Sequence, residues 1–336
     1  MKKRTIVLFT ALVLILALVA GCTANQTAPS ATPAAAKTKV NVAALIGPTG
    51  MGLAKIMDDM NKGTAKNDYT FNLTGAPDAI VAKITTGEVD IAAVPTNLAA
   101  SLYNKTNGKV QLLAINTLGV LYVVENGNTV KSLADLKGKT VYATGQGATP
   151  EYALDYILSK NGIDPEKDVN IEYKAEHSEL ATLVSSGKVN LAMLPEPFVT
   201  TVTQKNKNVR VALNLTKEWN GIKGNEQSEL AMGVMIVRKD FAEQNPQALK
   251  DFLAEYKAST EYVNGNVKEA SALIEKYGIL TSAALAEKAI PNCNIVYVDG
   301  EAMKTMLQPV LNVLFAANPK SVGGKLPNEA FYYIAK

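Results

Sequence analysis

Blocks of apolar and polar positions alternate along the chain, and one block recurs 100 residues later. Residues 78–97 align without a gap on residues 178–197. In each copy two apolar helical turns lead through a glycine into a short apolar strand that stops at a proline, and Asp78 or Ser178 precedes the first turn as a candidate N-cap. A repeat of this length is too long for a solenoid. It predicts one αβ unit used twice, and therefore two similar lobes with a cleft between them.

The same alternation predicts elements on both sides of the repeated block. The predicted strands are 40–46, 69–74, 91–94, 110–115, 140–143, 169–173, 191–194 and 209–213, and the predicted helices are 79–86, 98–103, 150–160, 179–186 and one that begins at residue 198. Strands that alternate with helices favour α/β lobes of parallel-rich mixed sheets flanked by helices. Beyond residue 238 the pattern becomes helical, and an apolar stripe from Met303 to Leu314 behind Asp299 is interpreted as core rather than as a partner surface.

Two long apolar stretches, residues 110–124 and 229–237, are typical of extended segments that leave one sheet and enter another. They predict a discontinuous first lobe, residues 39–117 plus 233–336, and a second lobe, residues 118–232. Two such crossings form a two-strand hinge whose few residues can absorb a closing motion.

The N-terminus predicts export. Three basic residues precede an uncharged apolar run, residues 6–20, which is shorter than the roughly 18 residues of a spanning helix. Residues 1–21 are therefore predicted to be a signal peptide. Val19-Ala20-Gly21-Cys22 resembles the lipobox of bacterial lipoproteins, which implies lipidation of Cys22; the alternative is an ordinary secretory signal with a chance cysteine. Residues 22–38, rich in Ala, Thr and Pro, read as a flexible tether.

Charge removes one class of partner. The chain has 34 basic and 31 acidic residues, and three of the basic ones lie in the predicted signal, which leaves 31 of each sign. A mature body without net charge offers no electrostatic footprint for nucleic acid. Its sequence predicts no nucleic-acid partner.

Scarce cysteine and histidine argue against catalytic and metal chemistry. With Cys22 lipidated, Cys293 has no partner for an intramolecular disulfide and is interpreted as a semi-buried thiol. His177 is the single histidine, too few for a zinc site, and a solvated loop residue is favoured over a catalytic base. No nucleophile elbow, phosphate-binding loop or metalloprotease motif occurs. We therefore expect no catalytic residue, no metal and no cofactor.

Several motifs together resemble a known family. They are the lipobox, a strand that runs into Gly47-Pro48-Thr49-Gly50, the repeated strand unit, Gly145-Gln146-Gly147-Ala148-Thr149-Pro150, Gly162-Ile163-Asp164-Pro165 and Pro195-Glu196-Pro197-Phe198. Their order over residues 39–336 is similar to that of the solute-binding proteins of bacterial ABC importers, in the nitrate, sulfonate and taurine group that includes binders of thiamine pyrimidine precursors. The resemblance implies a type II periplasmic-binding-protein fold, held by a lipid anchor on the extracytoplasmic face of the cell membrane or in the periplasm.

The implied function is capture of a small organic solute between the lobes and its delivery to permease and ATPase subunits, by a monomer that is not an enzyme. One alternative is an enzyme on the same fold, of the thiamine-precursor or menaquinone type; its pathways are cytoplasmic, and the lipobox disfavours it. Another is a receptor or adhesin lipoprotein, which predicts a flat apolar patch in place of a polar cleft. The sequence does not identify the solute.

Ligands of open α/β sheets bind beyond the carboxyl ends of the strands. The predicted ligand-binding residues are those that follow the strands: Pro48, Thr49, Gly50, Met51, Thr96, Asn97, Gly145, Gln146, Gly147, Ala148, Thr149, Glu196 and Phe198. The glycines permit close backbone approach and free N–H groups for an anionic end of the solute, unless they serve only as tight turns.

Glu196 would accept from an N–H group of the solute, unless it points to solvent. Phe198 or Tyr152 would supply a stacking face. Lys223 is the nearest candidate for a basic side chain.

Overall fold

A computed structural model describes residues 37–225 and 228–334 of the 336-residue chain. The predicted signal peptide, residues 1–21, most of the predicted tether and Cys22 lie outside the described residues. Helices and strands alternate through the first two thirds of this region, as the apolar pattern predicts.

The described residues contain eleven strands. They are β1 (Lys39–Leu45), β2 (Asp68–Thr74), β3 (Ile91–Pro95), β4 (Val110–Thr117), β5 (Leu121–Asn126), β6 (Thr140–Thr144), β7 (Asn170–Lys174), β8 (Leu191–Pro195), β9 (Val209–Asn214), β10 (Gly233–Arg238) and β11 (Ile295–Val298).

The α-helices complete the set. They are α1 (Pro48–Met51), α2 (Ala54–Asn61), α3 (Pro77–Thr86), α4 (Thr96–Lys105), α5 (Thr149–Lys160), α6 (His177–Ser185), α7 (Phe198–Lys205), α8 (Leu215–Asn220), α9 (Lys239–Gln244), α10 (Pro246–Gly265), α11 (Val267–Lys276), α12 (Ala283–Ala289) and α13 (Gly300–Ala317). Short 3-10 turns cover Leu133–Leu136, Ile290–Asn292, Pro319–Val322 and Glu329–Phe331.

The strands form two mixed sheets. The first has the order β11-β4-β10-β3-β1-β2, with β1 parallel to β2 and β3, and β10 antiparallel to β3 and β4. The second has the order β7-β6-β8-β5-β9, with β6 parallel to β7 and β8, and β5 antiparallel to β8 and β9. In the first sheet β10 and the edge strand β11 run opposite to the other four strands, and in the second sheet β5 runs opposite to the other four. The predicted parallel-rich mixed architecture is confirmed.

The sequence repeat corresponds to a repeat of topology. The order β2-β1-β3-β10-β4 in the first sheet matches β7-β6-β8-β5-β9 in the second. The caps were predicted wrongly, because α3 and α6 begin earlier than expected. Their N-caps are Ala76 and Glu176, so Asp78 and Ser178 lie inside the first turn. Pro77 at the first helical position sets the earlier start of α3.

The chain passes between the sheets twice, once between β4 and β5 and once between α8 and β10. A glycine lies at each passage, and neither position has room for a side chain. A Cβ at Gly119 would lie 2.0 Å from Thr216 Oγ1, and one at Gly233 would lie 2.6 Å from Asn116 Oδ1. The amide of Leu118 also donates to the carbonyl of Asn294 at 3.0 Å, which fixes the first passage to the segment before β11.

One hydrophobic cluster includes side chains from both sheets, among them Ala92 of β3 and Val123 of β5. The predicted stripe on α13 is part of this core, since Met303, Leu307 and Leu314 are buried in the same cluster. Asp299 is the N-cap of α13, as expected, but its side chain makes no capping hydrogen bond. The lobe boundaries at residues 117 and 233 stay a prediction.

Candidate functional site

The predicted ligand-binding residues follow the carboxyl ends of β1, β3, β6 and β8, where α1, α4, α5 and α7 begin. Their exposure differs sharply. Met51 is fully buried and belongs to a cluster formed with α11 and α12, so its side chain packs in the core instead of facing the loops. Thr96 and Thr149 are each 1% exposed.

One hydrogen bond joins the loops of the two sheets. Thr149 Oγ1, at the start of α5, donates to Asn97 Oδ1, at the start of α4, over 3.2 Å. Because its oxygen is used, Asn97 presents its amide N–H groups as donors. The structure therefore brings two predicted site residues from different halves of the sequence repeat into contact.

Three long-range hydrogen bonds hold the turn that contains α1, and their partner residues were not predicted from the sequence. Asn116 Nδ2 donates to the carbonyl of Thr49 at 3.2 Å, and Ser259 Oγ donates to the carbonyl of Gly52 at 2.6 Å. The amide of Gly47 donates to the carbonyl of Ile279 at 3.1 Å. These contacts join residues 67 to 232 positions apart, so no local signal in the sequence could have found them.

The glycines of the second loop are required by the backbone, because Gly145 and Gly147 have φ values of 81° and 73°. The amide of Gly147 donates to Glu151 Oε2, in the first turn of α5. The amide of Ala148 donates to the carbonyl of Gly145 at 3.1 Å. Two of the N–H groups expected to hold an anionic ligand are thus used within the protein, and a carboxylate already lies at this helix terminus.

Glu196 is buried, with 3% of the residue exposed, so it does not point to solvent. It follows β8 directly, its amide donates to the carbonyl of Val120 at 2.9 Å, and its Oε2 accepts from the amide of Thr200 at 3.0 Å. Burial raises the pKa of Glu196, while the hydrogen bonds from Thr200 act in the opposite direction. Within residues 37–225 and 228–334 this carboxylate has no ion pair, and its hydrogen bonds come from Thr200.

Tyr122 and Cys293 lie near the Glu196 carboxylate. The Tyr122 hydroxyl donates to the carbonyl of Asn292 at 3.2 Å, which joins β5 of the second sheet to the segment before β11 of the first. Burial, with the nearby Glu196 charge, raises the pKa of Tyr122 to about 12. The same two causes raise the pKa of the Cys293 thiol, which is completely buried rather than semi-buried. Among the described residues, no cation pairs with the Glu196 carboxylate.

His177 is placed differently from the prediction. It is the first residue of α6, half-buried, with Nδ1 2.6 Å from Thr144 Oγ1 and its ring centroid 5.4 Å from that of Phe198. Burial lowers the pKa of His177, so the neutral imidazole is favoured. The expectation of a solvated loop histidine was wrong, because α6 starts two residues earlier than predicted.

Burial and sequence indicate which ring and which charges the predicted site offers. Tyr152 is buried in the core, and its hydroxyl accepts from Asn318 Nδ2 at 3.0 Å, which leaves the half-buried Phe198 as the candidate ring. Lys223 is exposed, and the predicted ligand-binding set contains no lysine or arginine. Across the described ranges, no group of three His, Cys, Asp or Glu side chains could hold a metal ion.

No helix in the described part of the chain has the length and apolar character needed to span a bilayer.

The chain is similar to known proteins both in sequence and in structure. Putative binding protein YtlA of Bacillus subtilis is 24% identical over 208 residues, which are 60% of this chain and 59% of that protein. The structure of an ABC transporter from Parabacteroides distasonis is 27% identical with a TM-score of 0.75, and the alignment covers 89% of this chain and 100% of that one. The periplasmic aliphatic sulphonate binding protein SsuA from Escherichia coli is 16% identical with a TM-score of 0.69, over 89% of this chain and 92% of that one.

The chain spans 56–59% of the length of the curated relatives that it matches. The similarity to these two solved structures shows that the chain has a periplasmic-binding-protein fold. Residues 51–288 match the family described as "ABC transporter, phosphonate, periplasmic substrate-binding protein". This match covers well over half of the chain, and the chain therefore belongs to that family of periplasmic substrate-binding proteins of ABC transporters.

Proposed function

We propose that the protein is the solute-binding component of an ABC importer and that it holds a small organic solute between its two predicted lobes. The observation that carries this proposal is the Thr149–Asn97 hydrogen bond, which joins the strand-end loops of two sheets with matching topology. Loops at the carboxyl ends of strands are the usual ligand sites of α/β folds. The family and the neighbouring structures support the same function.

The solute would lie among loop residues from both sheets. Backbone groups of Pro48, Thr49, Gly50 and Met51, the side chains of Thr96 and Asn97, the loop from Gly145 to Thr149, and the pair Glu196 and Phe198 form the proposed wall. Five of these thirteen residues have polar uncharged side chains, and only Glu196 is charged. A wall of this kind suits recognition by a few directed hydrogen bonds and one stacking face.

Capture would involve closure of residues 118–232 against residues 39–117 plus 233–336. The two passages between the sheets, at Gly119 and near Gly233, are the proposed hinge. Their close packing against Thr216 and Asn116 supports this assignment, because a few tightly packed residues at element ends can define an axis of rotation. A solute with higher affinity for the closed form would shift the population towards it.

Anchoring and partners follow from the N-terminal sequence and the family. We propose that residues 1–21 are cleaved, that Cys22 carries lipid on the extracytoplasmic face of the membrane, and that residues 22–38 act as a tether. The lipid-anchored monomer would deliver its solute to permease and ATPase subunits without chemical turnover. The choice of a binding protein over an enzyme rests on the family, whose members are substrate-binding proteins.

A thermal-shift screen of small solutes tests the proposal. A solute at 100 times its dissociation constant stabilises a one-site protein by about 2.7 kcal/mol, which is several degrees in melting temperature. The panel should contain phosphonates, sulfonates, nitrate, amino acids, amines and aminopyrimidines. We expect at least one saturable shift with no product formed on prolonged incubation. Conversion of a bound solute to a product would favour the enzyme, and the absence of any shift across the panel would contradict solute capture.

A further inference from the structure

The first turn of α5 contacts the predicted first lobe at two separate segments. Thr149 Oγ1 donates to Asn97 Oδ1, at the start of α4, over 3.2 Å. One turn further along α5, the Tyr152 hydroxyl accepts from Asn318 Nδ2 at 3.0 Å, and Asn318 is the C-cap of α13. The helix α5 belongs to the predicted second lobe, whereas Asn97 and Asn318 belong to the first. Both hydrogen bonds therefore cross between the predicted lobes.

Asn318 is held in place by its own lobe. Its Oδ1 accepts from the amide of Lys320 at 3.0 Å. The segment that follows α13 is in turn bound to α4, because Asn104 Nδ2 donates to the carbonyl of Val322 at 2.7 Å. The Nδ2 group of Asn318 is thus presented to Tyr152 from a fixed part of the first lobe.

Tyr152 has no free face for a solute. The residue is 7% exposed and belongs to the hydrophobic cluster that includes Leu307 and Leu314 of α13. The helices α5 and α13 pack against each other. Tyr152 is therefore a contact between the predicted lobes and lies outside the proposed ligand-binding wall.

A rotation at the two passages between the sheets would separate these contacts. Gly119 lies between β4 and β5, and Gly233 begins β10. The strand before α5 is β6, and β8 lies between β6 and β5 in the second sheet. Because α5 lies away from the proposed hinge, a rotation there moves its first turn relative to the first lobe. The arrangement in the structure, with both contacts formed, is called closed below.

We propose that Tyr152 and Asn318 form a latch that holds the lobes closed before a solute arrives, and so set the ratio of closed to open protein from outside the ligand-binding wall. The inference rests on the closing motion of the proposed function, but not on the identity of the solute. Tyr152 is then a positioning residue, which acts on the predicted ligand loop before α5 through the helix itself. Since a solute leaves only the open protein, the latch also slows its release.

Distances between two spin labels in the solute-free full chain test the latch. Asp78 and Ser178 are equivalent positions of the sequence repeat, are exposed, and lie in the first turns of α3 and α6. These helices follow β2 and β7, the sheet edges farthest from the two passages, so labels there move most on closure. The labels are attached to Asp78→Cys and Ser178→Cys in a Cys22→Ala background, and the completely buried Cys293 does not compete for them.

Three variants are compared with the labelled parent protein by double electron–electron resonance. Tyr152→Phe removes the hydroxyl and keeps the buried ring. Tyr156→Phe is the matched control, because Tyr156 lies on the same helix and its hydroxyl donates to Asn225 Oδ1 at 3.3 Å, within the predicted second lobe. Asn318→Ala removes the other partner of the latch, and it takes the place of Tyr152→Phe if that variant does not fold.

We expect the solute-free parent to contain a population at the shorter, closed distance. Tyr152→Phe should lower the ratio of closed to open protein by about 2- to 13-fold, the range for one neutral hydrogen bond, and Tyr156→Phe should leave the ratio unchanged. Asn318→Ala should also lower the ratio. Adding Tyr152→Phe to Asn318→Ala should cause no further fall, because the hydrogen bond needs both partners.

Four results would overturn the latch: no closed population in the solute-free parent, an unchanged ratio in Tyr152→Phe, an equal fall in Tyr156→Phe, or a full further fall in the double variant. If solutes that raise the melting temperature shorten the label distance, while Tyr152→Phe leaves the solute-free distances unchanged, the latch is wrong and the proposed closing motion stands. If neither solutes nor variants change the distance, the closing motion is wrong together with the latch.

Discussion

Replacement of Gly119 by alanine tests whether the first passage between the sheets is as tightly packed as the structure shows. The new Cβ would lie 2.0 Å from Thr216 Oγ1, 3.0 Å from Thr216 Cβ and 3.2 Å from Thr216 Cγ2. Rotation of the threonine side chain moves its Oγ1 but cannot remove the contact with its Cβ. The passage or the start of α8 must therefore shift, and overpacking of this kind costs about 1–3 kcal/mol.

Urea unfolding of single and double variants measures this cost. Gly119→Ala should lower the free energy of unfolding by about 1–3 kcal/mol. Thr216→Ala removes Cγ2 and Oγ1, the latter a buried hydroxyl without a partner among the described residues, and leaves only the 3.0 Å contact with Cβ. The double variant should therefore be more stable than the sum of the single changes by at least about 1 kcal/mol. Gly265→Ala is the control, because a Cβ there meets nothing within 4 Å, and it should be neutral or stabilising.

Two results would refute this reasoning. A cost below about 0.5 kcal/mol for Gly119→Ala would mean that the passage is free to move. Strict additivity in the double variant would mean that Thr216 does not limit the space at residue 119.

The remaining predictions concern charge, a buried ion pair, motion and anchoring. Burial, with Glu151 and Glu166 nearby, raises the pKa of Asp155 to about 6. The protonated carboxyl therefore stabilises the fold below pH 4, and this stabilisation is lost as the pH rises through 6. In urea unfolding, Asp155→Asn should raise the free energy of unfolding by about 1 kcal/mol at pH 8 and leave it unchanged at pH 4. Arg210→Ala should cost about 2–4 kcal/mol in the same assay, because it removes the cationic partner of the buried Glu125 carboxylate. A loss below about 1 kcal/mol would contradict this. If the two passages are a hinge, a solute found in the screen should reduce the radius of gyration in small-angle scattering, and an unchanged radius at saturation would contradict closure. Cys22→Ala should abolish metabolic lipid labelling, and labelling equal to that of the parent would contradict lipidation there.

Strand positions could be predicted closely from the sequence, because a buried strand is a continuous apolar run bounded by turn residues. The run before Pro95 and its copy before Pro195 became β3 and β8, each extended only by the proline itself. The repeat also indicated that one αβ unit is used twice, and the structure adds that the two sheets share a strand order. The starts of α3 and α6 were placed too late, since a helix start depends on backbone geometry at residues that carry no apolar signal.

The site was predicted only as a set of loops. The sequence places Glu196 and Asn97 after strands, but their partners Thr200 and Thr149 depend on where the helices begin. The burial of Met51 and the contact of Asn116 with α1 arise from packing between distant segments, which periodicity does not encode.

A crystal structure of the protein with the tightest solute of the screen tests the central claim most directly. The account predicts density for the solute among the loops that follow β1, β3, β6 and β8, in contact with residues of both sheets. Density at any position outside the loops that follow β1, β3, β6 and β8 would contradict solute capture between the two lobes.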